Sequence, residues 1–249
     1  MKKNLWLLAL CQGLLSTNNV VFIAINGLVG LQLAPFGWMA TLPVMGYVVG
    51  GALSTPLVAA SQARWGRRGS FQLGLVVAFL SAALCAWAAF SANFWLLCAA
   101  TVIAGYYNAN GQLYRFAAAE LTAPAFREKA VSLVLAGGLL GAVAGPNLAS
   151  GTRNLFPVPF AGAYLALMLV ALLAMVCMAG VHFESLPAPA PGAAAPPAGR
   201  PVSALLRQPA FAVAMLGAAL GYGVMNLLMA ATPLAMQVCG FGFDSAALV

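Results

Sequence analysis

Seven apolar stretches, each about as long as a membrane-crossing helix, follow one another along the chain and constrain its fold more than any other feature. A helix needs about 20 apolar residues to cross the hydrocarbon core of a bilayer. Charged residues make up 6% of the 249 residues and hydrophobic residues 63%, too little polar surface for a water-soluble domain. We therefore expect a polytopic membrane protein.

The predicted fold class is all-α, a polytopic membrane helix bundle. Long Leu, Ala and Val runs without period-two alternation exclude a transmembrane β-barrel, so each stretch satisfies its backbone hydrogen bonds as a helix. Turn formers and prolines separate the stretches. The predicted helices span residues 5–33, 37–62, 71–90, 94–118, 130–150, 160–181 and 210–236, and an eighth begins near Ser245.

A segment rich in Pro, Ala and Gly divides the chain after the sixth predicted helix. Its composition between residues 184 and 200 holds neither a helix nor a core, which is typical of an extended linker. The predicted organisation is a six-helix transmembrane half (1–183), a cytoplasmic linker (184–208) and the start of a second transmembrane half (209–249). Because the last apolar run stops soon after it begins, we expect the sequence to be an incomplete version of a longer protein.

The distribution of the eleven basic residues indicates the orientation of the helices. Nine flank connections on one side, Arg153 lies on the other, and Arg115 lies at the end of the fourth predicted helix. By the positive-inside rule, the amino terminus and the connections after the even-numbered helices are cytoplasmic. The net charge of +7 is therefore a topology signal, and no nucleic-acid partner is needed to explain it. The nine residues are Lys2, Lys3, Arg64, Arg67, Arg68, Arg127, Lys129, Arg200 and Arg207.

Three stretches carry recognisable motifs. Residues 59–68 read Ala-Ala-Ser-Gln-Ala-Arg-Trp-Gly-Arg-Arg, in the frame of a Gly-x-x-x-Asp-Arg-x-Gly-Arg-Arg pattern. Ala59 and Ala63 replace its first glycine and its acid. Residues 120–127 hold an acid, a proline and an arginine after the fourth predicted helix. Residues 137–147 form a glycine ladder that ends in Gly-Pro, a spacing that leaves a flat face for close helix packing. The matching positions are Arg64, Gly66, Arg67, Arg68, Glu120, Arg127, Gly141, Gly145 and Pro146.

With six helices, a linker and further helices, these motifs resemble the major facilitator superfamily over essentially the whole chain. The resemblance implies a bacterial transporter with two six-helix halves. The glycine ladder is similar to the motif associated with antiporters, which implies a drug or metabolite efflux type. The expected location is the bacterial inner membrane. We predict that Glu120 acts structurally, as a cytoplasmic latch paired with Arg64 or Arg127.

Polar residues inside the predicted helices mark a possible substrate path, because such residues are costly in lipid and tend to face an interior cavity. They recur at helical spacing on the first, fourth and seventh predicted helices. The resemblance places these three helices around a central cavity. That the amides only bridge helices remains an alternative. The path residues are Gln12, Ser16, Asn19, Asn26, Tyr107, Asn108, Gln112, Arg115, Tyr222 and Asn226.

The predicted function is secondary active transport of a small solute by alternating access, as efflux or antiport. The sequence does not name the substrate, although Arg115 suggests an anionic group, and proton coupling is left open. We expect the full-length protein to be a monomer in the lipid bilayer. We expect neither cofactor nor metal, since the five cysteines show no paired spacing. No catalytic motif indicates an enzyme. The alternatives are an inactive truncated remnant and a non-transporting membrane receptor.

Overall fold

The computed structural model describes residues 2–183 and 202–240, and throughout these ranges the regular secondary structure is helical. The predicted all-α membrane bundle is thus confirmed. Residues 184–200 of the predicted linker and the eighth helix predicted near Ser245 lie outside the described residues. The helices are α1 (Lys2–Leu33), α2 (Leu42–Phe90), α3 (Phe94–Gly111), α4 (Tyr114–Glu120), α5 (Arg127–Thr152), α6 (Ala161–Ala179), α7 (Val202–Leu206) and α8 (Pro209–Val238). Short 3-10 helices cover Gly37–Met39 and Pro124–Phe126.

The long helix α2 reverses direction at Gly66. This residue has φ of 68° and ψ of 178°, whereas helical geometry runs up to it and resumes after it. The hydroxyl oxygens of Ser61 and Ser70 lie 2.6 Å apart, although an unbroken helix would separate them by about 13 Å. The sequence predicted a longer break, from residue 63 to 70. That prediction was wrong, because one glycine with positive φ is enough to turn the chain.

The fourth predicted helix, 94–118, is also different in the structure. It is divided into α3 and α4 by a turn at Gln112 and Leu113. Gly111 ends α3 where the chain packs closely on Leu15 of α1, and a methyl group added there would lie 2.6 Å from that side chain. The break therefore coincides with a close contact between helices.

Five helical stretches in the described part of the chain are long and apolar enough to cross a membrane. Seven were predicted, and two features explain the difference. The stretch Gly37–Phe90 contains the second and third predicted helices on either side of Gly66. In addition, α3 is short and carries polar residues in its last turns. The five stretches are Lys3–Leu33, Gly37–Phe90, Pro124–Thr152, Ala161–Ala179 and Pro209–Thr232.

The final part of the predicted linker is not extended. Residues Val202–Leu206 form the short helix α7, and α8 begins soon afterwards at Pro209. Pro209 suits the first turn of a helix, because the backbone N–H that proline lacks would have no partner there. The predicted linker, 184–208, is therefore helical from Val202 to Leu206.

Glycines bring the backbones of neighbouring helices together at two interfaces. Between α1 and α5, methyl groups on Gly137 and Gly141 would collide with the carbonyl oxygens of Ala9 and Gly13. Between α2 and α3, a methyl group on Gly50 would collide with the backbone of Val102. Small residues permit this close approach, and dispersion contacts between helices then stabilise the bundle.

Candidate functional site

A cluster of amides and one phenol joins α1, α2 and α3. We call Asn19, Tyr47, Asn108 and Gln112 the amide cluster. The Tyr47 hydroxyl donates a short hydrogen bond to Asn19 Oδ1. Asn19 Nδ2 donates to Asn108 Oδ1 at 3.4 Å, and Gln112 Nε2 donates to the same oxygen at 3.4 Å. These bonds connect residues from three helices, so they bind the helices together as well as presenting polar atoms.

A second polar pair lies further along α1. The hydroxyl of Tyr164 on α6 donates to Asn26 Oδ1 at 2.7 Å, and Asn26 Nδ2 donates to the carbonyl of Phe22 at 2.7 Å. Both side chains are fully buried. Each amide atom of Asn26 thus has a partner inside the protein. This pair acts as a structural bridge between α1 and α6.

The remaining predicted residues of α1, α3 and α4 have varied surroundings. Gln12 and Ser16 are half-buried and lie against α5, where a methyl group on Gly138 would be 3.0 Å from Ser16 Oγ. Tyr107 is 2% exposed and packs in an apolar cluster with Phe71 and Tyr114. The structure thus places Tyr107 in the core.

Arg115 lies on α4, half-buried, with its guanidinium 5.1 Å from the centre of the Phe116 ring. Its Nε is buried and has no hydrogen-bond partner among the described residues. A cation over an aromatic face is stabilised by about 0.5–2 kcal/mol, depending on desolvation.

On α8, Asn226 is buried although most of the surrounding helix is exposed. It is 4% exposed, and its Nδ2 donates to the carbonyl of Tyr222 at 2.8 Å. Its Oδ1 has no hydrogen-bond partner in the part of the chain that the structure describes. Farther along the helix, Ala230 approaches Gly27 of α1. The side of α8 that carries Asn226 and Ala230 therefore faces the bundle and contacts α1 near Gly27.

A charged group marks the end of the bundle where α2 reverses. Arg67 forms a two-pronged salt bridge with Glu120, including an Nε–Oε2 distance of 3.0 Å, and also donates to Gln62 at 2.7 Å. The predicted partners of Glu120 were Arg64 and Arg127. That prediction was wrong, because the turn at Gly66 brings Arg67 to the carboxylate.

Further hydrogen bonds tie α6 to the same end of the bundle. Arg68 donates to the carbonyl of Ala179 at 2.6 Å, and Gln72 donates to that of Met175 at 3.0 Å. Asn4, at the start of α1, donates to the carbonyl of His182 at 2.7 Å. The beginning of α1, the reversal of α2 and the end of α6 therefore meet.

Several polar residues that matter to the architecture were not predicted. Tyr47 and Tyr164 provide hydroxyl donors to asparagines of α1. Asn110 donates to the backbone carbonyl of Ser70 at 2.6 Å, inside a buried network with Ser61. Tyr106 donates to Ser61 Oγ at 2.8 Å. The sequence signal that could have identified them was a polar side chain within an apolar helix, because burying such a group in lipid is costly.

The described residues contain no group of three or more His, Cys, Asp or Glu side chains arranged to hold a metal ion. The polar groups gathered at the amide cluster are neutral hydrogen-bond donors and acceptors. This chemistry suits recognition of an uncharged polar molecule by hydrogen bonds. It offers neither an acid–base pair nor a nucleophile with its base.

Comparisons with known proteins agree with this architecture. The family model described as Major Facilitator Superfamily matches residues 5–249. The riboflavin transporter RfnT of Brucella anthropi is 32% identical over 253 residues, which cover 99% of this chain and 62% of that protein. The crystal structure of a D-xylose-proton symporter matches with a TM-score of 0.63 at 19% identity, covering 97% of this chain and 63% of that chain. This chain thus spans less than two thirds of the length of each, and the symporter shows likeness of fold alone.

Proposed function

This chain belongs to the major facilitator superfamily, and we propose that it supplies the first helices of a secondary transporter that moves a flavin-like solute by alternating access. The support for transport is the family together with a relative that is itself named as a riboflavin transporter. A flavin combines a flat ring, a hydrogen-bonding edge and a hydroxylated side chain. Such a solute requires neutral donors and acceptors more than it requires charge.

The observation that carries this proposal is the amide cluster between α1, α2 and α3. Asn19 and Gln112 are half-buried, so each side chain keeps some exposed surface. Uncharged amides match an uncharged solute. The other residues proposed for the path are Gln12, Ser16, Arg115, Tyr222 and Asn226. Asn26 and Tyr107, also predicted for it, are buried, Asn26 as a bridge to Tyr164 and Tyr107 in an apolar cluster.

Transport of riboflavin tests the proposal. The full-length gene product in sealed vesicles should take up riboflavin, and Asn108→Ala should reduce the initial rate about tenfold or more. The reason is that Asn108 holds both Asn19 and Gln112 in place. The matched control is Asn154→Ala, since Asn154 is exposed in the α5–α6 connection. Absence of riboflavin uptake by the wild type, or full uptake by the Asn108→Ala variant, would contradict the proposal.

We further propose that the Arg67–Glu120 salt bridge is a latch at the cytoplasmic end, and that the motif residues Arg64, Arg68 and Arg127 belong to this end of the protein. Its support is the meeting of α2 and α4 at the reversal of the chain. In the proposed orientation the chain spans the bacterial inner membrane several times, with its amino terminus in the cytoplasm. Reporter fusions after residue 68 and after Arg153 should then report opposite sides. Fusions that report the same side would contradict this orientation.

Exchange transport, as in an efflux antiporter, is a second candidate mode. The observation that favours it is the α5 ladder, in which Gly141 and Gly145 pack on α1 directly before Pro146. Within the described residues the acids are Glu120 and Glu128, and both are exposed. Proton exchange would therefore depend on another group. If the protein works by exchange, riboflavin loaded inside the vesicles should accelerate the uptake of labelled riboflavin. An unchanged uptake rate would contradict exchange.

A further inference from the structure

The guanidinium of Arg67 contacts two residues through different nitrogens. Its Nε donates to Glu120 Oε2 at 3.0 Å and its Nη2 donates to Glu120 Oε1. Its third nitrogen, Nη1, donates to Gln62 Oε1 at 2.7 Å. Because a guanidinium is planar and rigid, a bond that holds Nη1 restricts the directions in which Nε and Nη2 can point.

The two partners of Arg67 differ in how firmly they are held. The Glu120 side chain is 56% exposed, whereas Gln62 is half-buried. Next to Gln62, the hydroxyl oxygen of Ser61 accepts a hydrogen bond from Tyr106 and lies 2.6 Å from Ser70 Oγ. These contacts join the backbone beside Gln62 to α3 and to the far side of the α2 reversal. Gln62 is therefore the better anchored of the two partners.

The orientation of the Gln62 amide follows from the chemistry of arginine. A guanidinium has only hydrogen-bond donors, so the amide must present its oxygen to Arg67. Its Nε2 is then buried without a hydrogen-bond partner among the described residues, and such a group is unfavourable. The reversed amide would bring Nε2 against the donors of Arg67. Residue 62 thus serves Arg67 as an acceptor, and its donor is not used.

We propose that Gln62 is a positioning residue for the latch, which holds Nη1 of Arg67 so that Nε and Nη2 face Glu120. The inference rests on the proposed function, in which the Arg67–Glu120 salt bridge is that latch. It has a specific consequence. Since glutamate has the shape of glutamine and is an acceptor when ionised, a carboxylate at residue 62 should pair with the same guanidinium from its other side.

Moving the negative charge from residue 120 to residue 62 tests the inference. The thermal unfolding midpoint of the full-length gene product is measured in detergent by tryptophan fluorescence. Glu120→Gln should lower the midpoint by about 2 °C, the scale expected for a partly exposed ion pair. Adding Gln62→Glu to that variant should recover most of the loss, because Arg67 again contacts one carboxylate and one amide.

Two further variants show whether the recovery acts through Arg67. Gln208→Glu, combined with Glu120→Gln, adds the same charge at an exposed residue of the α7–α8 connection and should recover nothing. Gln62→Glu, combined with Arg67→Gln, places the carboxylate where no guanidinium remains and should not raise the midpoint. No recovery by Gln62→Glu in the Glu120→Gln variant would overturn the inference. Equal recovery by Gln208→Glu, or a similar gain without Arg67, would overturn it too.

Riboflavin uptake by the same proteins in sealed vesicles separates the inference from the proposed function. Glu120→Gln should lower the initial rate about threefold, and the added Gln62→Glu should bring the rate back towards that of the wild type. Recovery of the midpoint, with equal uptake by the wild type and Glu120→Gln, would contradict the latch and support the contact between residue 62 and Arg67. Lowered uptake by Glu120→Gln, with neither rate nor midpoint recovered, would support the latch and overturn the role of Gln62.

Discussion

Helices α5 and α8 are both long, apolar and rich in glycine, yet their glycines have opposite surroundings. Methyl groups on Gly137 and Gly141 of α5 would collide with the backbone of α1, whereas methyl groups on Gly217 and Gly221 of α8 would have no atom within 4 Å among the described residues. Glycine content therefore does not determine close packing. A glycine contributes to packing between helices only where another helix lies against it, because the absence of a side chain there permits close contact.

The largest expected effect comes from filling the α1–α5 interface. Gly141→Ala should lower the free energy of unfolding by about 1–3 kcal/mol, because the added methyl group meets the Gly13 carbonyl and backbone moves less easily than a side chain. The measurement is denaturant unfolding in detergent, followed by tryptophan fluorescence.

Gly138→Ala is the matched control in the same helix. Its methyl group would lie 3.0 Å from Ser16 Oγ, which belongs to a small side chain. It should cost clearly less than Gly141→Ala. Equal losses of stability in the two variants would show that contact with a neighbouring backbone does not make a glycine harder to replace.

A smaller effect should follow the removal of buried amides. Asn110→Ala should cost about 1–2 kcal/mol, because it removes hydrogen bonds to Ser70 that join α3 to α2. Asn226→Ala on α8 should cost less, since Asn226 Nδ2 bonds only the carbonyl of Tyr222 in its own helix. The same unfolding measurement ranks the two variants, and the reverse order would argue that α8 is held as firmly as α3.

The smallest expected effect is a gain in stability. Gly217→Ala should raise the free energy of unfolding by about 0.5–1 kcal/mol, because alanine favours the helix and has open space around it. Thermal unfolding monitored by circular dichroism measures it. A loss of stability would reveal a partner against α8 at this position.

The sequence was sufficient to predict what depends on one helix at a time. Apolar length predicted the bundle, and the spacing of Gly141 and Gly145 predicted a flat packing face. Asn19 and Asn108, which the structure joins by a hydrogen bond, were both predicted as path residues. Their assignment to a substrate path remains a prediction.

What the sequence did not predict depends on how helices are placed against one another. Tyr47 is one of several tyrosines in apolar stretches, and only the position of α2 beside α1 makes it the donor to Asn19. Glu120 had several candidate arginines, and the geometry of the turn selected Arg67. Which side chains pair between helices depends on the tertiary structure, so residue spacing along one helix does not predict it.

The backbone conformation at Gly66 determines which enantiomer of an amino acid would fit there. Its φ of 68° with ψ of 178° is close to the mirror image of an extended conformation common among L-amino acids. A methyl group there would have no atom within 4 Å among the described residues, so there is space for a side chain. The positive φ, however, is unfavourable for an L-amino acid. An L-alanine would carry about 1–3 kcal/mol of strain at this residue. A D-alanine, introduced by chemical ligation, would adopt the same backbone as a relaxed conformer.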